Sequence, residues 1–201
     1  FRYWGENSKI ILGFEPGLHD GSYISSRSGN RWINLKIEGI SAHSGRMGES
    51  HLNALHELAR IINSVSVHND DKKRMRINFN SVHTDKDIFN TISGDIMAKI
   101  DMRFDCVDKR KFLQKALGEA IYENQNECPE TGKKPISHFS IEDDCPPLQS
   151  GSSSELETII SLLDKEFFNA TAKFVHSGGA ADINYFSNKT NHGLDGLGPI
   201  G

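Results

Sequence analysis

The sequence is poor in cysteine, in long apolar runs and in charge of one sign. Its 201 residues include only three cysteines, Cys106, Cys128 and Cys145. Thiols so few and so far apart form no disulfide framework, and none stands in a Cys-x-x-Cys zinc motif, so we interpret them as reduced structural thiols. No apolar run approaches the length that spans a bilayer, so we expect no membrane partner.

Acidic and basic residues nearly balance, which argues against nucleic acid as a partner. The chain has 23 basic and 27 acidic residues, and its formal net charge is -4. The only dense basic cluster, Lys72-Lys73-Arg74, directly follows two aspartates. The start also lacks an export signal, which favours the cytoplasm. However, the chain begins at phenylalanine rather than methionine, so we expect a piece of a longer protein and leave the compartment open.

Between residues 32 and 141 the apolar pattern switches between strand and helix periods. It predicts a half-buried strand, a helix capped by Ser50, two strands, a second helix opened by Asp108 and a final short strand. The apolar positions are Ile33, Leu35, Ile37; Leu52, Leu55, Ala59, Ile62, Val65; Met75, Ile77, Phe79; Ile96, Ala98, Ile100, Met102, Phe104; Leu113, Leu117, Ala120, Ile121; and Phe139, Ile141. This β-α-β-β-α-β order predicts a ferredoxin-like unit with both helices on one face of a four-stranded sheet.

The segments on either side of this unit predict an incomplete α/β layer. Residues 10–15 are interpreted as a buried strand closed by Pro16-Gly17, and residues 22–25 as a second strand. Residues 151–154 lead into a helix, followed by a strand at 172–175 and a glycine-rich turn that opens another helix. The inward-facing positions of the first of these helices are Leu156, Ile159, Ile160, Leu162 and Leu163. We therefore divide the chain into residues 1–28, 29–145 and 146–201, with the ferredoxin-like unit inserted between the two pieces of the layer.

One histidine stands out at the end of the first predicted strand of the unit. Residues 36–45 read as a strand that ends in a small-residue turn and presents His43. Taken alone, such a histidine is more often a surface residue than a functional one. Likewise, Glu15 taken alone is a strand-end carboxylate, Asn90 a loop-shaping residue, and Arg103 one half of an ion-pair face with Asp101.

Five short motifs, in order, change these odds, because together they resemble one enzyme family. The motifs are Phe14-Glu15-Pro16; Gly39-Ile40-Ser41-Ala42-His43-Ser44-Gly45; Asn90 followed by Ile100-Asp101-Met102-Arg103-Phe104; Ser177-Gly178-Gly179-Ala180-Ala181-Asp182; and Leu194-Asp195-Gly196-Leu197-Gly198-Pro199. The chain resembles the co-catalytic zinc family of glutamate carboxypeptidase, aminoacylase and succinyl-diaminopimelate desuccinylase. The resemblance implies a metallopeptidase or amide hydrolase with an α/β catalytic domain, two zinc ions and an inserted lid domain that forms a homodimer.

The resemblance also assigns roles to residues. It implies that Glu15 is a zinc ligand and that His43 enters the active site of the partner subunit. It places Asn90 beside the substrate and Arg103 against a substrate carboxylate. Gly178 and Gly179 resemble a turn whose backbone approaches the substrate, which is a peptide or an N-acyl amino acid in this family.

The remaining zinc ligands of the family have no counterpart in these 201 residues. The sequences His68-Asn69-Asp70 and His83-Thr84-Asp85 match a His-x-Asp pattern, but both follow Glu15 in the chain. Because a zinc site needs three or four protein ligands, we expect this chain alone to bind no zinc and to be inactive. The first hypothesis is therefore a fragment of a zinc exopeptidase or amidohydrolase. The alternative is a stand-alone ferredoxin-like oligomerisation or small-ligand module without catalysis.

Overall fold

The computed structural model describes residues 2–149, 154–186 and 192–200. Within these ranges it has five helices and twelve strands: α1 Arg2–Asn7, β1 Ile10–Leu12, β2 Pro16–Gly17, β3 Tyr23–Arg27, β4 Gly29–Glu38, β5 Ala42–His43, α2 Ala54–Ser66, β6 Arg76–Thr84, β7 Thr91–Ile92, β8 Asp95–Phe104, α3 Val107–Tyr122, β9 Ile136–Cys145, α4 Ser154–Phe168, β10 Phe174–Ser177, α5 Ile183–Phe186, β11 His192–Leu194 and β12 Gly198–Ile200. The mixture of helices and strands confirms the predicted α/β class. The chain forms two compact units, which we call the flanking unit (residues 1–30, 103–107 and 145–201) and the sheet unit (residues 31–102 and 108–144).

The sheet unit is built on a four-stranded sheet with the strand order β6-β8-β4-β9. Along the chain, β4, β6, β8 and β9 are the first, second, third and fourth strands of this sheet. Read from β9, their order in space is fourth, first, third and second, as a ferredoxin-like β-α-β-β-α-β unit requires. Side chains alternate in β4, where Ile33, Leu35 and Ile37 are buried and Trp32 is half exposed. The apolar positions predicted in β8 are all buried as well. Period-two alternation therefore identified the central strands correctly.

Helix α2 begins three residues later than predicted and buries a different face. Asn53, not Ser50, caps it, because the Asn53 side chain accepts hydrogen bonds from the backbone N–H groups of the first turn. The predicted stripe is wrong at Leu55 and Ala59, which are exposed, and at Ile62, which is half exposed. The buried residues are Ala54, Glu57, Leu58, Ile61 and Val65. Because Glu57 is charged yet buried, the pattern of apolar residues alone predicted the wrong face of the helix.

Helix α3 buries the residues that the sequence predicted, together with Ala116. Charged side chains join its outer part to the sheet. Arg31 on β4 pairs with Asp144 on β9 at 2.7 Å, and Arg110 on α3 also donates to Asp144 at 3.1 Å. Burial by itself would raise the pKa of the Asp144 carboxyl, but the two guanidinium groups outweigh this and hold the pKa below its usual value. The pairs tie β4, β9 and α3 together at one end of the sheet unit.

The flanking unit contains three short parallel strand pairs rather than one wide sheet. In the described residues β1 pairs with β11, β10 with β3 and β12 with β2. Two predictions are wrong here. The 10–15 strand is not buried, since Ile10 and Leu12 are 48% and 46% exposed, and Phe14 beyond it is 71% exposed.

Helix α4 is the second correction in the flanking unit. Leu156 is buried and Ile160 half exposed, but Ile159, Leu162 and Leu163 face outward, with Leu162 65% exposed. The physical reason is the small number of neighbours: α4 packs against β11, and the two-stranded pieces provide no continuous layer to cover its remaining apolar side chains. The predicted lead-in at 151–153 lies outside the described residues. None of the helices described is long and apolar enough to cross a membrane.

Candidate active site

The turn that presents His43 is shaped by close backbone contacts. His43 pairs with Thr91 in the short β5–β7 ladder. Before it, the backbone N–H of Gly39 donates to the Gly94 carbonyl, and a Cβ on Gly39 would lie 2.1 Å from the Leu52 carbonyl oxygen. No other residue fits at Gly39, because a side chain would collide with backbone. The glycine therefore lets the chain turn tightly as it leaves β4, shortly before the exposed His43.

A hydrogen bond from Gly45 defines which nitrogen of His43 carries the proton. The Gly45 N–H donates to His43 Nδ1 at 3.1 Å, so Nδ1 is an acceptor. A neutral imidazole has one acceptor nitrogen and one N–H, so Nε2 carries the proton. The side-chain nitrogen Nδ2 of Asn90 is placed 3.3 Å from Nε2. An amide nitrogen cannot accept the Nε2–H, so we assign the Asn90 amide with its oxygen at this position, where it accepts from Nε2.

The structure thus brings together two predicted residues that are 47 positions apart in the chain. The backbone carbonyl of Asn90 also accepts the Ser44 N–H at 2.9 Å, which fixes the Asn90 loop against the His43 turn. His43 and Asn90 are both exposed. This His43–Asn90 pair lies in the sheet unit and can offer a single oriented N–H to an oxygen atom of a ligand.

The other predicted residues belong to the flanking unit. Glu15 is exposed just before β2, and its backbone N–H donates to Asp195 Oδ1 at 3.2 Å. Asp195 is fully buried, and it follows β11. A Cβ on Gly13 would lie 2.3 Å from Asp195 Oδ1, so glycine is required there for the carboxylate to approach. The strand end that carries Glu15 is therefore held by a buried carboxylate.

Arg27 connects this carboxylate to the glycine-rich turn. Arg27 Nε donates to Asp195 Oδ2 at 2.7 Å, while Arg27 Nη1 donates to the Gly179 carbonyl at 3.0 Å. Gly178 and Gly179 are exposed, and a Cβ on Gly178 would meet nothing within 4 Å. No contact within the described chain requires glycine at 178, which leaves the backbone of this turn open to a ligand.

A cavity of about 230 Å³ lies beside Glu15 in the flanking unit. Its lining includes three carboxylates, those of Glu15, Asp182 and Asp195. Carboxylate oxygens suit zinc. Nevertheless, the described residues contain no group of three or more histidine, cysteine, aspartate or glutamate side chains placed to hold a metal ion. Within residues 2–149, 154–186 and 192–200, a zinc ion would therefore lack enough ligands.

Arg103 lies near the end of β8 and is half buried. Two groups of predicted residues emerge: His43 with Asn90 in the sheet unit, and Glu15, Arg103, Gly178 and Gly179 in the flanking unit.

Arg27 and Asp195 were missed as site residues. Asp195 stands inside the Leu194–Pro199 motif, which was a usable signal. Nothing in the sequence marked Arg27, because its partners are 152 and 168 positions away.

Comparison with known proteins identifies the class of this molecule. Residues 25–127, more than half of the chain, match the family model described as "Peptidase dimerisation domain". The fold and this match define a peptidase dimerisation domain with flanking α/β segments. The chain belongs to the M20 peptidase family, which confirms the predicted family. The sequence matches no curated protein.

Solved structures share the fold. Aminopeptidase PepT from Bacillus cereus ATCC 10987 has a TM-score of 0.77 and 15% identity, over 95% of this chain and 50% of its own. A tripeptidase from Staphylococcus aureus subsp. aureus Mu50 has a TM-score of 0.75 and 14% identity, over 94% and 48%. A hydantoinase/carbamoylase family amidase from Burkholderia multivorans has a TM-score of 0.66 and 14% identity, over 92% and 46%. The chain therefore spans about half the length of these structures.

Proposed function

We propose that the complete protein hydrolyses amide bonds of peptides or N-acyl amino acids as a zinc-dependent, glutamate carboxypeptidase-like exopeptidase, and that this chain supplies its dimerisation domain and part of its catalytic domain. The observation that carries the proposal is the exposed His43 within the matched dimerisation domain, whose Nδ1 accepts from Gly45, so that the N–H of the neutral ring is at Nε2, beside Asn90. Such an N–H is the group that stabilises a developing oxyanion during attack on an amide carbonyl.

The other site residues have complementary roles in this proposal. Asn90 holds the His43 N–H until the substrate oxygen replaces it. The Arg103 guanidinium would bind a substrate carboxylate through two parallel hydrogen bonds. The open backbone at Gly178 and Gly179 would lie along the substrate. Glu15 would be one zinc ligand, and the others would come from chain beyond these 201 residues.

Exposed apolar surface on the flanking unit supports an incomplete catalytic domain. Leu162, Phe167 and Phe168 on α4 are 65%, 68% and 77% exposed, and Phe14 beside Glu15 is 71% exposed. The three side chains on α4 project from different sides of the helix, and a helix that is apolar on several sides is usually buried in a complete domain. We propose that the remainder of the catalytic domain covers this surface.

Metal removal tests the proposed activity. The complete protein is expected to hydrolyse members of a panel of dipeptides and N-acyl amino acids, to lose this activity on dialysis against a zinc chelator, and to regain it with zinc. The 201-residue chain is the control and is expected to be inactive under every condition. A complete protein that stays inactive with zinc present across the panel would support the alternative, a stand-alone ferredoxin-like oligomerisation or small-ligand module, which the self-contained core of the sheet unit favours.

The sheet unit is expected to form a symmetric homodimer through α2 and an edge strand. Strand β6 lies at one edge of the sheet and is in contact with α2, so the two form one continuous surface. An unpaired strand edge favours pairing with a second copy. We expect sedimentation of a dimer, and of a monomer after Leu55→Asp on the exposed face of α2.

The matched control for the dimer is Tyr122→Asp on α3. Leu55 and Tyr122 are 45% and 57% exposed, so each substitution places a new charge at a site of similar accessibility. The Tyr122 variant is expected to remain a dimer. Analytical ultracentrifugation that finds the unsubstituted protein monomeric at high concentration would contradict the proposal.

A further inference from the structure

Two exposed segments of the flanking unit are linked through one buried ion pair. Glu15 and Gly179 are 164 positions apart in the sequence. Asp195 accepts the Glu15 N–H with Oδ1, and its Oδ2 accepts from Arg27 Nε. The same guanidinium donates through Nη1 to the Gly179 carbonyl. We call these two side chains the Arg27–Asp195 clamp.

Two atoms of the clamp each form a second hydrogen bond. Asp195 Oδ1 also accepts the Gly196 N–H at 2.7 Å, which orients the carboxylate on its own strand end. Arg27 Nη1 also donates to the Ser177 hydroxyl at 3.2 Å, next to the glycine turn. A guanidinium reaches a carboxylate and a carbonyl at once because its donors form a rigid planar fork. A lysine ammonium on a flexible stem does not reproduce that geometry.

The burial of the clamp shows that it is more than a surface ion pair. The side chains of Arg27 and Asp195 are 7% and 0% exposed. Taking two charges out of water is costly, and a buried pair is often no more stabilising than well-packed apolar residues of similar volume. Its distinguishing property is directional, since it fixes the positions of the atoms that it bonds. Here those atoms are the backbone of Glu15 and of Gly179.

We propose that Arg27 and Asp195 are positioning residues that hold the Glu15 strand end and the Gly178-Gly179 turn in the geometry required for substrate binding and turnover. The inference rests on the proposed function, in which both segments border the substrate. Arg27 bonds the glycine turn directly. Asp195 bonds the Glu15 strand end directly and holds the glycine turn through Arg27. The two substitutions therefore have different expected consequences.

The test uses the complete protein with the variants Arg27→Lys and Asp195→Ala. In Arg27→Lys the ammonium still pairs with Asp195 but releases the Gly179 carbonyl, so we expect KM to rise about tenfold with kcat little changed. In Asp195→Ala both carboxylate oxygens are removed, so both segments are released, and kcat is expected to fall about a hundredfold, the size of effect produced by a displacement of about 1 Å. Amide hydrogen exchange supplies a readout that needs no activity. Exchange should accelerate at residues 178 and 179 in both variants, and at Glu15 only in Asp195→Ala.

Arg31→Lys is the matched control. The Arg31 side chain is also 7% exposed and also lies 2.7 Å from an aspartate, Asp144, but it belongs to the sheet unit. It is expected to lower Tm about as much as Arg27→Lys does, without changing kcat, KM or exchange at Glu15 and the glycine turn.

The possible results separate the clamp from the proposed function. If Arg27→Lys and Arg31→Lys lower Tm alike and neither alters exchange at the two segments, the clamp is only structural and the inference is overturned. If the complete protein hydrolyses no amide but exchange changes as expected, the clamp stands as a positioning element and the proposed function fails. Should Asp195→Ala not fold, Arg27→Lys alone decides, through exchange at residues 178 and 179.

Discussion

Replacing His43 with alanine in the complete enzyme is expected to lower kcat about a hundredfold, as removal of one oxyanion donor does. The reason lies in the hydrogen bonds of the turn. Because Gly45 occupies Nδ1, the only proton on the neutral ring is at Nε2, and this is the proton that would bond the oxyanion. The variant should remain a dimer, since His43 is exposed and its turn is held by backbone hydrogen bonds.

His138→Ala is a suitable control, because His138 is an exposed histidine on β9 with no proposed part in catalysis. Its turnover should match that of the unsubstituted enzyme. Mixing two inactive variants, His43→Ala and Glu15→Ala, tests whether His43 acts across the dimer. A mixed dimer contains one site with an intact Glu15 and the partner's intact histidine, so part of the turnover should return. Unchanged kcat in His43→Ala would refute the assignment.

Replacing Glu57 with alanine is expected to lower the free energy of unfolding of the protein by about 3 kcal/mol, the low end of the range for breaking a buried ion pair. Glu57 is fully buried on α2. It bonds the Arg60 guanidinium, and its Oε2 accepts the Asn126 N–H at 3.0 Å. The substitution removes the partner of both groups and leaves a cavity. The expected loss is at the low end because Arg60 stays 20% exposed and keeps its bond to the Ala120 carbonyl.

Urea denaturation followed by circular dichroism measures this loss, and Glu119→Ala is the control. Glu119 forms an exposed pair with Lys115 on α3, at 3.4 Å and with 49% of its side chain exposed. Removing such a pair costs well under about 1 kcal/mol, because water and salt screen it. Glu57→Gln should fall between the two, since the amide still accepts the Asn126 N–H. Equal stability of the Glu57→Ala and Glu119→Ala variants would show that Glu57 is not an anchor of the helix.

Whether a sequence prediction was correct depended on which residues surround the element in the fold. The alternation in β4 and β8 identified buried positions correctly because these strands lie in the middle of the sheet, with a neighbour on each side. The same reasoning misplaced the buried face of α2, where Asn53 and Glu57 determine the start and the phase. Polar side chains that become buried by forming hydrogen bonds give no signal in an apolar pattern.

The flanking unit shows a second reason for error. Apolar runs at residues 10–15 and in α4 predicted burial, yet Leu12 and Leu162 are exposed in the described structure. An apolar side chain indicates that its burial against a neighbour is favourable. It does not indicate whether that neighbour lies within the same stretch of sequence. No residue in the described part of the chain covers these side chains.

The sequence by itself determined the α/β class, the family, and the identities of His43, Asn90, Glu15, Arg103 and the glycine turn as candidate site residues, because short motifs and strand periods are local properties of the chain. Only the tertiary structure decided which of them meet. The His43 ring lies between Gly45 and Asn90, which is 47 positions away, and the clamp joins Arg27 to Gly179 and Asp195 across more than 150 positions. Hydrogen bonds between residues so distant in sequence exist only after the backbone has folded, so no local pattern could reveal them.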